Sequence, residues 1–559
     1  MILGIDVGGT HTDAVLVDHG RVVKKSKVVT DPSNLLISLT AATDEIVDKT
    51  IIPLLERIVL STTLSTNAIV QNKIDRVGLM VISGPGLPAE TFNVFPDTRF
   101  LSGYINHRGK EMAPLNPTEA ESSIADLLSE GIRHIGIIGK FSTRNPQHEL
   151  ALKNMVNNRA THVTLGHGVS GHLNFPRRIA TTFLNEAIFD LYQDFAGQAL
   201  DFAKRRGINV PIYIMKADGG VLEISRSLEL PVQTILSGPA ASIMGILATS
   251  ECNEDSIALD IGGTTTDIAV FADGVPLLEP FGVAIEGKKT LIRGLRTRSI
   301  GIGGDSVIKI EKGEIRIGPN REGPAAALGG PFPTPTDAMI VLGLTAIGEM
   351  KKAADSLRPV ADFLHCDVRE AAQIIFTETC RKIASASIEF LNDINNMPVY
   401  TIHEMLMTKK IDPRLVCAIG GPARAMAPEL ARLLKTMLNN RDCEARIPPH
   451  YEIANAIGAA LARTTAELTL LADTEQRILT IAEEGSQTPI PANFTMDDAI
   501  RIGREKLTQK IVQSDESTEK PEIEVVESQE FNIVDEFYTV GKNIRVKVQV
   551  KPGSIATCR

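Results

Sequence analysis

Basic residues are in the minority in this 559-residue sequence: 58 Lys and Arg stand against 68 Asp and Glu, for a formal net charge of −10. A nucleic-acid groove needs a clustered excess of Lys and Arg, so a small molecule or another protein is the expected partner instead. Cysteine pairs at CxxC spacing are missing as well. The six cysteines (Cys252, Cys366, Cys380, Cys417, Cys443 and Cys558) are scattered, which favours reduced, mostly buried thiols over a disulfide framework or zinc ribbon and points to the cytoplasm. No apolar stretch runs uninterrupted for about 18 residues, and the N-terminus enters a strand with no basic and then apolar leader. Neither a membrane span nor secretion is expected. There is no short-period repeat and no Ser-His-Asp signature. The length calls for two to four domains, and 43% hydrophobic with 23% charged residues is a globular composition.

What the sequence does contain is one phrase written twice, "GIDVGGTHTDAVLV" from Gly4 and "ALDIGGTTTDIAVF" from Ala258. Each reads as an apolar strand (Ile2 to Ile5; Ile257 to Leu259), an Asp, a Gly-Gly bend, hydroxyl residues, and a second apolar strand (Ala14 to Val17; Ile268 to Phe271). That is a β-hairpin. Gly8-Gly9 and Gly262-Gly263 let the backbone approach a ligand, and a tight turn with exposed N–H groups suits phosphate oxygens. Thr10, Thr12, Thr264, Thr265 and Thr266 are expected to add hydroxyl donors at the tips. Asp6 and Asp260, closing the first strands, are the expected Mg²⁺ ligands, because that ion keeps several waters and shares phosphate oxygens. Asp13 and Asp267 are candidates to align water or metal, or to cap their hairpins. Two such hairpins facing each other would clamp one nucleotide from both sides of a cleft.

A third element, "RLVCAIGGPARAMAPELARLL" (Arg414 to Leu434), sets Gly420-Gly421 between a strand and an amphipathic helix, where a flat base can lie on the backbone. The small residues Ala454, Ala456, Gly458, Ala459 and Ala460 then suit a closely packed hinge helix. Among other segments, Thr66 and Asn67 of "STTLSTN" are read as cleft-lining donors rather than helix caps. Asp218, Gly219 and Gly220 are read at a strand end facing the cleft, Gly303-Gly304 as a turn beside it, and Asp337 as a helix N-cap. His162, His167 and His172 recur every five residues, which matches neither a helix face nor a strand face, so a metal there is disfavoured. In "NPQHE", Asn145 and Glu149 also fit a helix start.

Assembled, these residues resemble the actin, sugar-kinase and Hsp70 ATPase superfamily: Asp6 to Thr12 and Asp260 to Thr266 are similar to its two phosphate motifs, and Gly420-Gly421 to its adenosine motif. Within it the chain most resembles the A-type, ATP-binding subunit of the hydantoinase/oxoprolinase family, through "STTLSTNAIV", "FSTRNPQHEL", "MKADGG", "ILSGPAAS", "IGIGGDS" and "RIGPNREGPAAALGGPFPTPTDAMIVLG". These segments fall in the family's order over about residues 1 to 465. His11 stands where the family usually has an aromatic residue, and Asp305 where it has Gly.

The resemblance implies an α/β fold of duplicated actin-like (ribonuclease H-like) ATPase domains around a nucleotide cleft. The expected division is residues 1–190 with an inserted α/β portion from about Arg76 to Arg159, residues 191–465, and a small α+β tail from 466 to 559. In that tail, 466–513 reads as largely helical, "SDESTEKPE" (Ser514 to Glu522) as a linker, and Ile523 to Val550 as strands. The implied activity is ATP-dependent ring opening of a cyclic amide or imide such as a hydantoin or 5-oxoproline, with ATP and Mg²⁺ as cofactors. Phosphorylation of the carbonyl oxygen would remove any need for a Ser or Cys nucleophile. The implied partner is a B-type subunit, and a homo-oligomer is compatible. A small-molecule kinase, an ATP-dependent carboxylase subunit and an Hsp70-like regulatory ATPase are the alternatives on the same scaffold.

Overall fold

The computed structural model describes the chain except residues 10, 32–33, 251, 398–409, 440–442, 514–520 and 559. Thr10 and residues 514–520 of the expected linker therefore lie outside the described residues. The repeated phrases fold as two hairpins with the same internal register. Ile2–Val7 pairs antiparallel with His11–Asp18, and Ser256–Ile261 with Thr266–Ala272, so Asp6 faces Asp13 across one ladder and Asp260 faces Asp267 across the other. Each first strand then gains a parallel neighbour on its other side, Arg57–Thr62 and Leu415–Ile419 respectively. Strands paired on both edges and covered on both faces must be apolar throughout. Leu3, Ile5, Ile257 and Leu259 accordingly have no exposed surface.

The first sheet runs Val221–Glu223, Ile212–Met215, Arg57–Thr62, Ile2–Val7, His11–Asp18, Arg21–Val29. Residues 212–223 thus pair within the first sheet, and the expected division at residue 190 does not follow the strands. Helices Leu35–Asp44 and Phe189–Arg205 cover its outer face through Leu39, Tyr192 and Phe195. The second sheet is built on Thr266–Ala272, Ser256–Ile261 and Leu415–Ile419, and helices Val368–Asn395 and Ala423–Met437 cover its outer face. Between the sheets lie helices Ser237–Thr249 and Ala454–Leu461. They share one core with Val59 and Tyr213 of the first sheet and Ala258, Phe271 and Cys417 of the second. The helices can sit this close because each lacks side chains where they cross. A Cβ on Gly458 would strike the Ala241 carbonyl and the Gly245 backbone, and one on Gly245 would strike Ala454.

The inserted layer is a four-stranded parallel sheet in the order His162–Leu165, His134–Gly139, Val77–Ile82, Thr98–Phe100. The chain leaves it through Phe175–Ala187 and Phe189–Arg205, two helices broken at Ile188. The tail corrects the helical reading of 466–513. Glu467–Asp473, Ile478–Ile481 and Ser486–Pro489 are strands, and only Met496–Val512 is a helix. Together with Ile523–Asp535 and Tyr538–Val550 they make a five-stranded antiparallel sheet. Cys252 and Cys417 lie sulfur against sulfur with their Cα atoms 7.7 Å apart, wider than a disulfide spans, and Cys366, Cys380, Cys443 and Cys558 are free. No helix among the described residues is long and apolar enough to cross a membrane.

Candidate functional site

Both hairpin tips close with the same hydrogen bond, from Gly8 N–H to the His11 carbonyl (3.0 Å) and from Gly262 N–H to the Thr265 carbonyl (2.9 Å). Gly9, Thr264 and Thr265 are exposed at these tips. Thr12 and Thr266 are not tip donors. Side chains alternate along a strand, which turns both hydroxyls to the interior: Thr12 Oγ1 pairs with Thr30 Oγ1 at 2.9 Å, and Thr266 Oγ1 donates to the Ile302 carbonyl at 2.7 Å. The same alternation brings the aspartates to the other face.

There Asp6, Asp13, Asp260 and Asp267 form a chain of like charges, coupling Asp6 with Asp13 and Asp260, and Asp260 with Asp13 and Asp267. Burial, reinforced by Asp13, pushes the Asp6 carboxyl up to about 6. Burial, reinforced by Asp260, pushes Asp267 up to about 7. Burial also raises Asp260 and Asp13, although Lys27 Nζ, at 2.8 and 2.9 Å from the two Asp13 oxygens, works against it. Two neutral donors hold the pair nearest the helices: Ser242 Oγ donates to Asp260 Oδ2 at 2.5 Å, and Asn455 Nδ2 to Asp6 Oδ2 at 3.4 Å. Asn455 also lowers the Asp260 carboxyl, so one amide favours the charged form in both halves. It was missed because its helix reads as a run of small packing residues, within which a single Asn carries no periodic signal. Asp6 Oδ1 is buried without a hydrogen-bond partner.

Gly420 abuts this cluster. Its φ is +91°, and a Cβ there would lie 2.9 Å from Asp260 Oδ1 and collide with the Ile261 carbonyl, so only glycine fits. Gly421 has open space, and the helix Ala423–Met437 follows it. Gly303 and Gly304 back the second tip: Gly304 N–H donates to the Gly262 carbonyl (2.9 Å) and Gly303 N–H to Ser306 Oγ (2.8 Å). Their amides are committed, so what they supply is close approach to Gly262 and Gly263. Asp305 N–H donates to the Gly263 carbonyl at 2.7 Å, and its carboxylate takes Arg321 at 3.0 Å. Both charges reach His11 on the first hairpin; burial, with Lys27 next, lowers that imidazole below its ordinary range. His11 of the first hairpin and the Asp305–Arg321 pair behind the second are therefore near enough to interact.

"STTLSTN" and "ILSGPAAS" meet at the end of strand Arg57–Thr62. Thr66 Oγ1 accepts from Leu236 N–H (2.9 Å), and Ser237 Oγ donates to the Thr62 carbonyl (2.7 Å). The exposed Asn67 reaches to 3.7 Å from where a Gly9 Cβ would stand, beside the first tip. Asp218 lies elsewhere, in a cavity of about 480 Å³ bounded by the inserted layer, the first sheet and the tail, with none of the hairpin residues in its wall. It binds Thr465 Oγ1 at 2.9 Å and pairs with Lys216 (3.3 Å) and Arg293 (3.1 Å). Burial opposes its charge, and the two cations hold the carboxyl below its ordinary range. Asp337 is corrected from N-cap to the third helical position. Thr334 is the cap, and Asp337 completes its capping box while accepting from Ala326 and Ala327 N–H. The three spaced histidines go to separate partners, Glu186, Glu149 and Lys547.

Residues 178–468 match the hydantoinase/oxoprolinase family and residues 2–160 its N-terminal region. The chain belongs to the hydantoinase/oxoprolinase family. Curated members similar to it include an uncharacterized protein of Methanocaldococcus jannaschii (24% identical, 82% of this chain and 72% of that one). The acetophenone carboxylase gamma subunit of Aromatoleum aromaticum (26%; 61% and 53%) and the caprolactamase subunit alpha of Pseudomonas jessenii (24%; 76% and 65%) are others. The chain thus spans about half to three quarters of the length of these three relatives. Among solved structures, the ATP-dependent caprolactamase of Pseudomonas jessenii superposes with a TM-score of 0.72 (19% identical; 98% and 87% covered). Nucleotide-free acetone carboxylase does so at 0.69 (18%; 100% and 88%). The hydantoinase/oxoprolinase chain shares the fold of these structures, with two hairpin-bearing sheets about a pair of helices, an inserted α/β layer and an α+β tail.

Proposed function

We propose that this chain is the ATP-binding subunit of an enzyme that opens a cyclic amide or imide, of the hydantoin, 5-oxoproline or lactam type, at the expense of ATP. The observation that carries the reading is the pair of matched hairpins, each offering a glycine tip and two aspartates, joined by Asn455. The caprolactamase and acetone carboxylase whose structures share the fold are ATP-dependent, and 5-oxoprolinase of Saccharomyces cerevisiae is 30% identical over 43% of this chain and 19% of its own length.

Four clustered carboxylates meet a single hydrogen-bonded ammonium, and Asp6 Oδ1 has no partner. That donor set fits Mg²⁺, a hard ion bound through one or two carboxylates and phosphate oxygens. Asp6 and Asp260 would hold it, and when bound it supplies neutralisation of phosphate charge. The chain's own groups do the rest. Backbone N–H groups and the hydroxyls of Thr264 and Thr265 at the tips cradle phosphate oxygens, Gly420-Gly421 admits the base, and Asn67 is in reach to orient the reacting carbonyl. The amide oxygen attacks the γ-phosphorus and ADP departs. Water adds to the O-phosphoryl imidate carbon, the ring C–N bond breaks as the nitrogen leaves with a proton, and a second water hydrolyses the resulting acyl phosphate to carboxylate and inorganic phosphate. Exclusion of bulk water by closure of the two halves protects the phosphorylated species.

ADP release is the test, measured with Mg-ATP across hydantoins, 5-oxoproline and lactams, with and without bicarbonate and a B-type subunit. Turnover coupled to one ring compound, abolished in Asp6→Ala and Asp260→Ala, is expected. Bicarbonate-dependent turnover of a ketone would make the chain a carboxylase subunit. A stable phosphorylated product would make it a kinase, and ATP-driven closure without turnover a regulatory ATPase.

A further inference from the structure

Among the described residues, one group of histidine and acidic side chains brings three ligand atoms within 4.8 Å of one another: Asp75, His134 and Asp190. It lies far in sequence from the hairpins, and its position in the chain is specific. Asp75 stands two residues before Val77–Ile82, where the chain enters the inserted layer, and Asp190 opens Phe189–Arg205, where the chain has left it. His134 begins the central strand His134–Gly139, which pairs with the entering strand from Val77. The two crossings are already tied once, by Asp75 N–H donating to the Ala187 carbonyl at 2.9 Å.

The hydrogen bonding around His134 decides what the group can do. Glu186 has no exposed surface, and its carboxylate takes the Nδ1 of two imidazoles, His162 at 2.7 Å and His134 at 3.3 Å. A carboxylate only accepts, so each Nδ1 carries its proton. That leaves Nε2 facing Asp190 Oδ2, 3.1 Å away, where the surrounding carboxylates favour a positive centre between the two atoms, either the second imidazole proton or a bound cation. An N–O separation near 3 Å is also what adjacent ligands on a tetrahedral ion adopt when each bond is about 2.0–2.2 Å. Behind it, a buried carboxylate gripping the distal nitrogen of a ligating histidine is the arrangement that fixes ring orientation and raises ligand basicity at metal centres. His162 is held in turn by its stack on Phe189, with ring centroids 3.7 Å apart, so Glu186 has little freedom to move away.

We propose that Asp75, His134 and Asp190 bind a divalent ion of the zinc class, with solvent completing four coordination, and that Glu186 acts as a positioning residue for His134. One imidazole nitrogen and two carboxylates suit Zn²⁺ and, as its probe, Co²⁺. The ion staples the entry and exit of the inserted layer, fixing the angle at which that layer meets the first sheet. The site is independent of the nucleotide cleft and of the activity assigned there.

The test uses the full chain, stripped with chelator and free of nucleotide, titrated with Co²⁺ by visible absorption and with Zn²⁺ by calorimetry and thermal melting. One equivalent of Co²⁺ with the intense visible bands of a tetrahedral site is expected, displaced by Zn²⁺, and Zn²⁺ is expected to raise the melting temperature. Asp190→Asn, at a side chain 52% exposed and therefore tolerant of replacement, should weaken binding tenfold or more and erase the thermal gain. His134→Gln should do the same, and Asp6→Ala should leave both intact. Absence of a stoichiometric site, or equal affinity in Asp190→Asn, would overturn the proposal and identify His134 as an imidazolium bridging Glu186 and Asp190.

Discussion

Four carboxylates crowd the space between the hairpins, and the charge they share has a measurable cost in the metal-free chain. Asp6 is held at about 6 and Asp267 at about 7 in the fold, against 3.8 as the ordinary value of both. Between those limits the folded state binds more protons than the unfolded one, so stability is greatest on the acid side and falls as pH rises through the folded values. Each group accounts for on the order of a few kcal/mol over its full window. The melting temperature of chelator-treated protein is therefore expected to drop by several degrees between pH 5 and pH 8, and the drop should shrink in Asp267→Asn and on adding Mg²⁺ with nucleotide. A flat profile would mean these carboxyls are already neutralised without metal. The aspartates were legible from sequence because each ends an apolar strand next to a glycine pair. Asn455, which stabilises their charged forms, was not, since its role depends on a helix from the far end of the chain crossing both sheets.

At the scale of elements, the hairpins were readable because strand, turn and strand are local, and a period of two leaves its mark within a dozen residues. The differences have separate causes. Thr12 and Thr266 read as tip donors from the turn alone, but the alternation set by the aspartates beside them turns both hydroxyls inward. Glu467–Asp473 escaped notice as a strand because its partner, Tyr538–Val550, lies some seventy residues on, beyond any local pattern. The middle helices show the opposite case, where composition was decisive. Gly458→Ala puts a methyl within 2.9 Å of Gly245 Cα and into the Ala241 carbonyl, an overpacking expected to cost roughly 1–3 kcal/mol or more. Gly197→Ala, in the exposed middle of Phe189–Arg205 with nothing within 4 Å of the new methyl, should instead gain about 0.5–1 kcal/mol by helix propensity. Denaturant melts of the two variants check the pair. Equal effects would show that the crossing of Ser237–Thr249 and Ala454–Leu461 has slack.

Across the whole molecule, the division of the proposed site between two sheets would make a bound nucleotide a structural element. Asp6 and Asp13 belong to one sheet and Asp260 and Asp267 to the other, with a shared layer of two helices behind them. Like charges on facing hairpins favour separation, and a ligand that bridges them favours closure, so affinity and closure are linked. His11 on one side and the Asp305–Arg321 pair on the other extend that contact beyond the aspartates. At a free concentration a hundredfold above Kd, a bound nucleotide stabilises the closed form by about 2.7 kcal/mol. Amides that exchange only when the halves part should then slow by about a hundredfold. Hydrogen exchange of the full chain with Mg²⁺ and a non-hydrolysable ATP analogue is expected to show this protection in residues 2–18 and 256–272 together, and Asp260→Ala should remove it from both segments. Protection confined to one hairpin would mean that the nucleotide binds to a single half, and the clamp between the two sheets would have to be abandoned.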